Sequence, residues 1–379
     1  MVAVAAGDAQ EAARHARDAD ALLAEPPLTL LLSAQAAQLN GDDRAARRFF
    51  AAMLERPETE FLGLRGLLNH AVRDGDREAA LHLAERARGL RPQTPWVVES
   101  LLDLQARSDR WQAAESTLAE AIRRRLLPAG PARHHRGVVL HQLSLAAAER
   151  GEQRQAVALA AQAQALAPDL APPACHHAEV LIALGRFRAA TKALERAWRA
   201  APHPDIARLY AGMQQGAEPL AELRRLQRLT TQNPDARESH LVLAAAALDA
   251  QLWGEARRHL ERAEGADPPG LTPRLCQMHA RLAEAEGGGA AEGARNWLDR
   301  ALGALPDPCH VCGQCGGESL DWHPLCPHCN AFDTLAWRVP ARTMAARHHP
   351  PVGADPGAPA PDAARLGGPY TGLPERGLA

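Results

Sequence analysis

The stretch "RDGDREAALHLAERARGLRP", Arg73 to Pro92, decides how the chain is read. Gly75 is followed five residues on by Ala80, then by Ala84, Ala87 and Pro92. Glycine allows a tight turn, the alanines recur at the spacing of one helix face, and proline ends the helix. The same phrase returns as "LNGDDRAARRFFAAML" (39–54), "ERGEQRQAVALAAQAQALAP" (149–168) and "ALGRFRAATKALERAWRAAP" (183–202). Its shared alanine falls at Ala12, Ala46, Ala80, Ala114, Ala156, Ala190, Ala256 and Ala294, with Glu222 at the equivalent place in one divergent copy. The first four are spaced by 34 residues, as are Ala156 and Ala190, and Glu222 and Ala256. A fixed period of this length marks stacked units, each too small to bury its own apolar face.

On these residues the chain resembles the tetratricopeptide repeat over residues 1–306. The fold class expected is therefore all-α, a solenoid of antiparallel helix pairs. Gly41, Gly75, Gly151 and Gly185 serve the turns inside the pairs, and Pro92, Pro168, Pro202, Pro234, Pro268 and Pro306 end the second helices. Three departures stand out. Eight extra residues between Ala114 and Ala156, around "LLPAGPARHH" (126–135), are expected as a loop on a working face, and four more precede Ala294 at the glycines of "EAEGGGAAEG" (284–293). Ala12 belongs to a second helix turned by Gly7, which leaves only residues 1–6 for its partner. That half-unit would expose an apolar face, so the natural chain is expected to extend upstream.

Composition bounds the chemistry. Of 379 residues, 46% are hydrophobic and 23% charged, the formal net charge is -2, and aromatics make up 4%. Such a balance gives no strong field toward nucleic acid or anionic lipid, and too few rings to stack bases. Lys192 is the single lysine among 43 basic residues. No apolar run reaches the roughly 18 to 20 residues that span a bilayer. The chain contains no G-x-x-x-x-G-K-[ST], no H-E-x-x-H and no G-x-S-x-G, so no enzyme activity is expected.

Seven cysteines divide by spacing. Cys175 and Cys276 lie singly in helical patterns and read as small buried hydrophobes, whereas Cys309, Cys312, Cys315, Cys326 and Cys329 crowd into 21 residues. In "HVCGQCGGESLDWHPLCPHCNAF" (310–332), each Cys-x-x-Cys pair is followed by a residue that adopts positive φ cheaply, Gly316 and Asn330. That backbone turns amides toward the sulfurs, and four thiolates at this spacing suit tetrahedral Zn(II), with Fe as second choice. The expected ligands are Cys312, Cys315, Cys326 and Cys329. Four thiolates close the shell, so Cys309 reads as spare, His310, His323 and His328 as solvated, and the metal as structural rather than catalytic. Trp322, Leu325, Phe332, Leu335 and Trp337 are expected to pack this module onto the last repeat as a cap. The domain reading is a solenoid at 1–306, a metal-binding module at 307–340, and a disordered Pro- and Gly-rich tail at 341–379.

Repeats followed by a four-cysteine knuckle resemble two families. "HPDIARLYAG" (203–212), "PLAELRRLQRLTTQNPDARESHLVLAAAALDAQLWGEARRHLERA" (219–263) and "FDTLAWRVP" (332–340) look like the HemY-type repeat proteins, in the alphaproteobacterial branch with a terminal cysteine module. That resemblance implies a non-catalytic scaffold associated with late haem biosynthesis. It also implies a bacterial inner-membrane protein, anchored by a segment preceding the repeats, with its soluble portion facing the cytoplasm. The runner-up is the lipopolysaccharide-assembly protein LapB, whose terminal rubredoxin-like module folds back on the repeats. Either resemblance implies protein partners, haem-pathway enzymes or envelope proteins, in the groove lined by first helices. Arg65, Asn69, Gln142 and His177 are the candidate polar contacts there.

Overall fold

The 34-residue phase predicts paired helices joined by short turns, and the computed structural model, which describes residues 6–22, 26–213, 218–266, 270–286 and 290–341, is built of them. Among the described residues, helix α1 (Ala9–Leu22) precedes eight pairs: α2 (Pro26–Leu39) with α3 (Asp43–Met53), α4 (Pro57–Asp74) with α5 (Arg77–Leu90), α6 (Pro95–Arg107) with α7 (Trp111–Arg124), and α8 (Ala129–Glu149) with α9 (Gln153–Leu166). Then come α10 (Ala171–Ala183) with α11 (Phe187–Ala200), α12 (Pro204–Gly212) with α13 (Pro219–Thr230), α14 (Arg237–Asp249) with α15 (Trp253–Gly265), and α16 (Pro273–Glu286) with α17 (Ala290–Gly303). The alanines that share a phase mark the seams of this stack. Ala46, Ala80, Ala114, Ala156, Ala190 and Ala256 are wholly buried, and Ala12 and Ala294 nearly so.

Turn geometry explains the glycines and their exceptions. Gly41, Gly75, Gly151 and Gly185 sit at φ between 70° and 76°. Asp109 and Gln251, at the equivalent places of their units, adopt φ 53° and 58° without being glycine. Such left-handed backbone costs an L-residue about 1–2 kcal/mol, so packing of the two helices dictates the turn and residue choice only eases it.

The insertion after α7 corrects one expectation. Only Leu126, Leu127 and Pro128 lie between Arg125 and α8, and residues 129–149 form one helix of 21 residues against 13 or 14 in most of the others. The extra residues lengthen α8 at its N-terminus instead of looping out, because "AGPARHH" places its proline within the first helical turn, where a missing N–H costs nothing. The glycines at 287–289, Pro268, most of residues 1–6 and the tail after Ala341 lie outside the described residues, as does the disorder expected of that tail.

Beyond α17 the chain forms a small antiparallel sheet of order β2-β1-β3, with β1 at Cys309–Cys312, β2 at Glu318–Ser319 and β3 at Leu335–Arg338. Its register pairs His310 with Ser319 on one side and with Trp337 on the other. The sheet and the helices up to Pro340 belong to one unit. Among the described residues, no helix is long and apolar enough to cross a membrane.

Candidate metal centre

β1 delivers Cys312 at its end and β3 begins opposite it, Leu335 facing Cys312 in the register. A turn through Gly316 (φ 72°) brings Cys315 beside it, and a second turn through Asn330 (φ 58°) does the same for Cys326 and Cys329. Both are the residues whose positive φ the spacing requires. Backbone amides then point at sulfur: Gln314 N–H donates to Cys312 Sγ at 3.3 Å, Gly317 N–H to Cys315 Sγ at 3.4 Å, and His328 N–H to Cys326 Sγ at 3.4 Å.

All four Sγ atoms lie within 4.8 Å of one another, with Cys312 to Cys329 at 3.7 Å and Cys315 to Cys326 at 3.8 Å. A regular tetrahedron with Zn–S bonds of about 2.3 Å has edges of about 3.8 Å, so this donor set fits a tetrathiolate ion. The electrostatics point the same way. Burial opposes ionisation of Cys312, but the Thr334 hydroxyl at 3.2 Å and the amides of Cys315 and Gln314 outweigh it and bring that thiol down to about 6. Burial and the neighbouring sulfurs push Cys329 up to about 12, and Cys315 is raised as well. One thiolate forms readily, the next forms beside it only at a cost, and a cation among them removes that cost.

The remaining cluster residues take other roles. His323 and His328 are exposed, and His328 Nε2 lies 2.9 Å from the Glu318 carbonyl. His310 is buried, not solvated as expected: it lies on β1 with its ring 5.0 Å from Trp337 and 5.8 Å from His203. Cys309 stands outside the sulfur cluster, and burial raises its thiol.

The docking position is the largest correction. The module does not cap the last repeat; it lies on the face made by first helices in the middle of the array. Phe332 is buried among Leu102, Leu118, Val138, Val139 and Leu170, with Trp322 and Leu325 packed against the same cluster. The Phe332 ring is 5.5 Å from His135 and 6.3 Å from Trp111, the Trp322 ring is 5.7 Å from His141, and Trp337 meets His203 edge-on at 4.2 Å. Leu335 packs instead into the module's own core with Cys312 and Cys326, which Trp322 also touches. Trp322 thus joins the metal core to the helices. Among the described residues, nothing covers Leu298 and Leu302 on the last helix or Leu305 just after it, and all three are exposed.

The contact is rich in histidine, and burial sets two opposite charge states. His141 and His203 are pushed down to about 3, mainly by burial and then by the neighbouring His176 and His310. His134 is raised to about 10 by hydrogen bonds to Asp169 and Asp333. Burial would raise Asp333, yet the hydrogen bonds from His134 and His135 hold it below the usual carboxylate range.

Of the four candidate partner contacts, Arg65 and Asn69 are exposed on α4, Arg65 lying 5.4 Å over the Trp96 ring. Gln142 is half-buried on α8. His177 is not available to a partner: it is buried, its Nδ1 is 2.7 Å from Gln164 Oε1, and Gln164 in turn donates to the Ala193 carbonyl. That network ties α9 to α10 and α11, so His177 is a core residue. The docking pair His134 and Asp333 was not singled out from sequence, although the insertion that carries the histidines was.

Residues 310–336 match the family model of the LapB-type zinc ribbon, described as a rubredoxin metal binding domain. The match covers the module and says nothing of the repeats. No curated protein sequence matches the chain significantly. Solved structures that it resembles include a tetratricopeptide repeat protein from Parabacteroides merdae (14% identity, covering 64% of this chain and 92% of that one, TM-score 0.31) and yeast Tom70 (11%, 73% and 69%, TM-score 0.31). YrrB, a repeat protein with an unusual peptide-binding site, is similar at 17% identity over 49% of this chain and 91% of that one, TM-score 0.28. The repeat architecture rests on the helix pairing above. The helix pairing and the family match together give a tetratricopeptide-like repeat array carrying a LapB-type metal-binding module.

Proposed function

We propose that this chain is a non-catalytic scaffold of the LapB type, its zinc-holding module bound back on its own repeats, that assembles protein partners of lipopolysaccharide synthesis. The observation that carries this reading is the LapB-type match over residues 310–336, in a module seated on α6, α8 and α12. Folding back on the repeats is what the LapB resemblance implies. The haem-biosynthesis role implied by the HemY resemblance rests on repeat segments alone and takes second place. Zn(II) is the favoured ion over iron, since a closed tetrathiolate shell needs no redox chemistry for a structural role.

The position of the module also bears on where partners would bind. With the middle first helices occupied, the first helices of the early units stay open. On α4, Leu62, Arg65, Asn69 and Val72 form one exposed stripe at helical spacing, two apolar and two polar groups suited to a partner segment. The setting we propose is the cytoplasmic side of the bacterial inner membrane. Cross-linking and affinity capture from the native organism test the reading, with Arg65→Ala/Asn69→Ala as control. Capture of lipopolysaccharide-assembly proteins that the double variant loses is expected. Capture of haem-pathway enzymes alone would transfer the scaffold to the HemY reading, and unchanged capture by the variant would remove the α4 stripe from it.

A further inference from the structure

We infer that His134, His135 and Asp333 form a second metal site, for a divalent first-row transition ion, that staples α8 to the four-cysteine module. One donor atom of each residue lies within 4.8 Å of the others, in the same way that the four sulfurs do. His134 Nδ1 is 2.8 Å and His135 Nδ1 is 2.6 Å from the same oxygen, Asp333 Oδ2. Neighbouring helix residues point about 100° apart, so two adjacent rings reach one atom only where that atom inserts between them. The Asp333 side chain is 1% exposed, and a carboxylate that deep requires positive charge beside it.

The outer contacts are those of a metal site. His134 Nε2 faces Asp169 Oδ1 at 3.3 Å, a carboxylate behind the imidazole that fixes its tautomer and leaves Nδ1 as the donor toward an ion. With both imidazoles neutral, the two negative charges of Asp333 and Asp169 balance one divalent cation. Two imidazoles and one carboxylate suit Zn(II), Co(II) or Ni(II), and not Mg(II) or Ca(II), which favour all-oxygen shells. Each imidazole is 29% exposed, which leaves the remaining coordination position to water. The site joins residues 199 apart in sequence, and its histidines come from the insertion that lengthens α8. It does not depend on the proposed scaffold role.

The test is metal content of the full chain, loaded with zinc and freed of loosely held ion by gel filtration. Mass spectrometry is expected to give two zinc ions per wild-type chain and one in His134→Ala/His135→Ala. X-ray absorption at the zinc edge is expected to show nitrogen or oxygen scatterers beside sulfur in the wild type, and sulfur alone in the variant. If the alanine pair loosens the module, His134→Gln/His135→Gln, whose amides still donate to Asp333, carries the same expectation of one ion. One zinc with a purely sulfur shell in the wild type would make the cluster an ion-pair latch and overturn the proposal. Two zinc ions in both double variants would overturn it equally.

Discussion

Phe332→Ala measures how firmly the module is bound to the repeats. The ring is 9% exposed, seated among Leu102, Leu118, Val138, Val139 and Leu170, and supplies no ligand to the sulfur cluster. Truncation removes about 100 Å² of buried apolar surface, or ~2.5 kcal/mol at about 25 cal/mol per Å². Loss of the ring contacts to Trp111 and His135 adds ~0.5 kcal/mol. The sum, about 3 kcal/mol, shifts the docking equilibrium roughly a hundredfold. Hydrogen–deuterium exchange should report it as faster exchange across residues 129–139 and in β1, with metal content unchanged. Leu320→Ala is the control, since Leu320 is 89% exposed and its loss should stay within ~0.5 kcal/mol. Exchange across 129–139 that matches wild type in Phe332→Ala would refute the apolar seat as the source of docking.

Chelation should act on the same contact from the other side. Removing metal from the thiolates loosens the core that Trp322 shares with Cys312 and Cys326, so residues 304–308 should become open to proteolysis while α2 to α5 keep their protection; continued resistance there would count against the link. Docking should also depend on pH in two directions. In the metal-free contact, His134, raised to about 10, contributes fully below 6.5 and loses its contribution as pH rises through 10, whereas His141 and His203, pushed down to about 3, contribute above 6.5 and lose theirs as pH falls toward 3. Stability of the contact should therefore peak near neutrality, and a monotonic melting profile between pH 4 and 10 would contradict this balance. Gly137→Ala should destabilise by about 1–3 kcal/mol in thermal unfolding, because a methyl there would lie 2.8 Å from Ala167 Cβ and 3.0 Å from its backbone nitrogen. Gly130→Ala, with nothing within 4 Å, should be neutral or slightly stabilising; equal losses would mean that the α8–α9 approach is not limiting.

What could be read from sequence follows from what each pattern encodes. The alanine phase was legible because each of those alanines is buried at a helix–helix seam whose geometry repeats, so one physical requirement recurs every 34 residues. The knuckle was legible because ligand spacing and positive φ at Gly316 and Asn330 are local demands. His177 was misread for the opposite reason. A polar residue on a first helix looks the same in sequence whether it faces a partner or satisfies a buried glutamine, and Gln164, its partner, is 13 residues away on another helix.

Docking was the harder case, because it joins segments about 200 residues apart. Trp322, Leu325 and Phe332 are more apolar surface than a knuckle of about thirty residues can bury, so their need for a partner was visible. Which partner was not, and adjacency in the chain favoured the last repeat. The missing step was charge. Asp333 lies at the end of that apolar group, and its carboxylate meets His134 and His135 of α8. An acidic residue that must be buried selects, from the first helices, one whose paired imidazoles are accessible; the other adjacent pair, His176 and His177 on α10, is buried on Ser144 and Gln164. That helix is the one lengthened by the eight-residue insertion, whose extra turns raise His134 and His135 to meet the module. The insertion and the knuckle thus specify one another, and the apolar residues supply adhesion where the charges have already set the address.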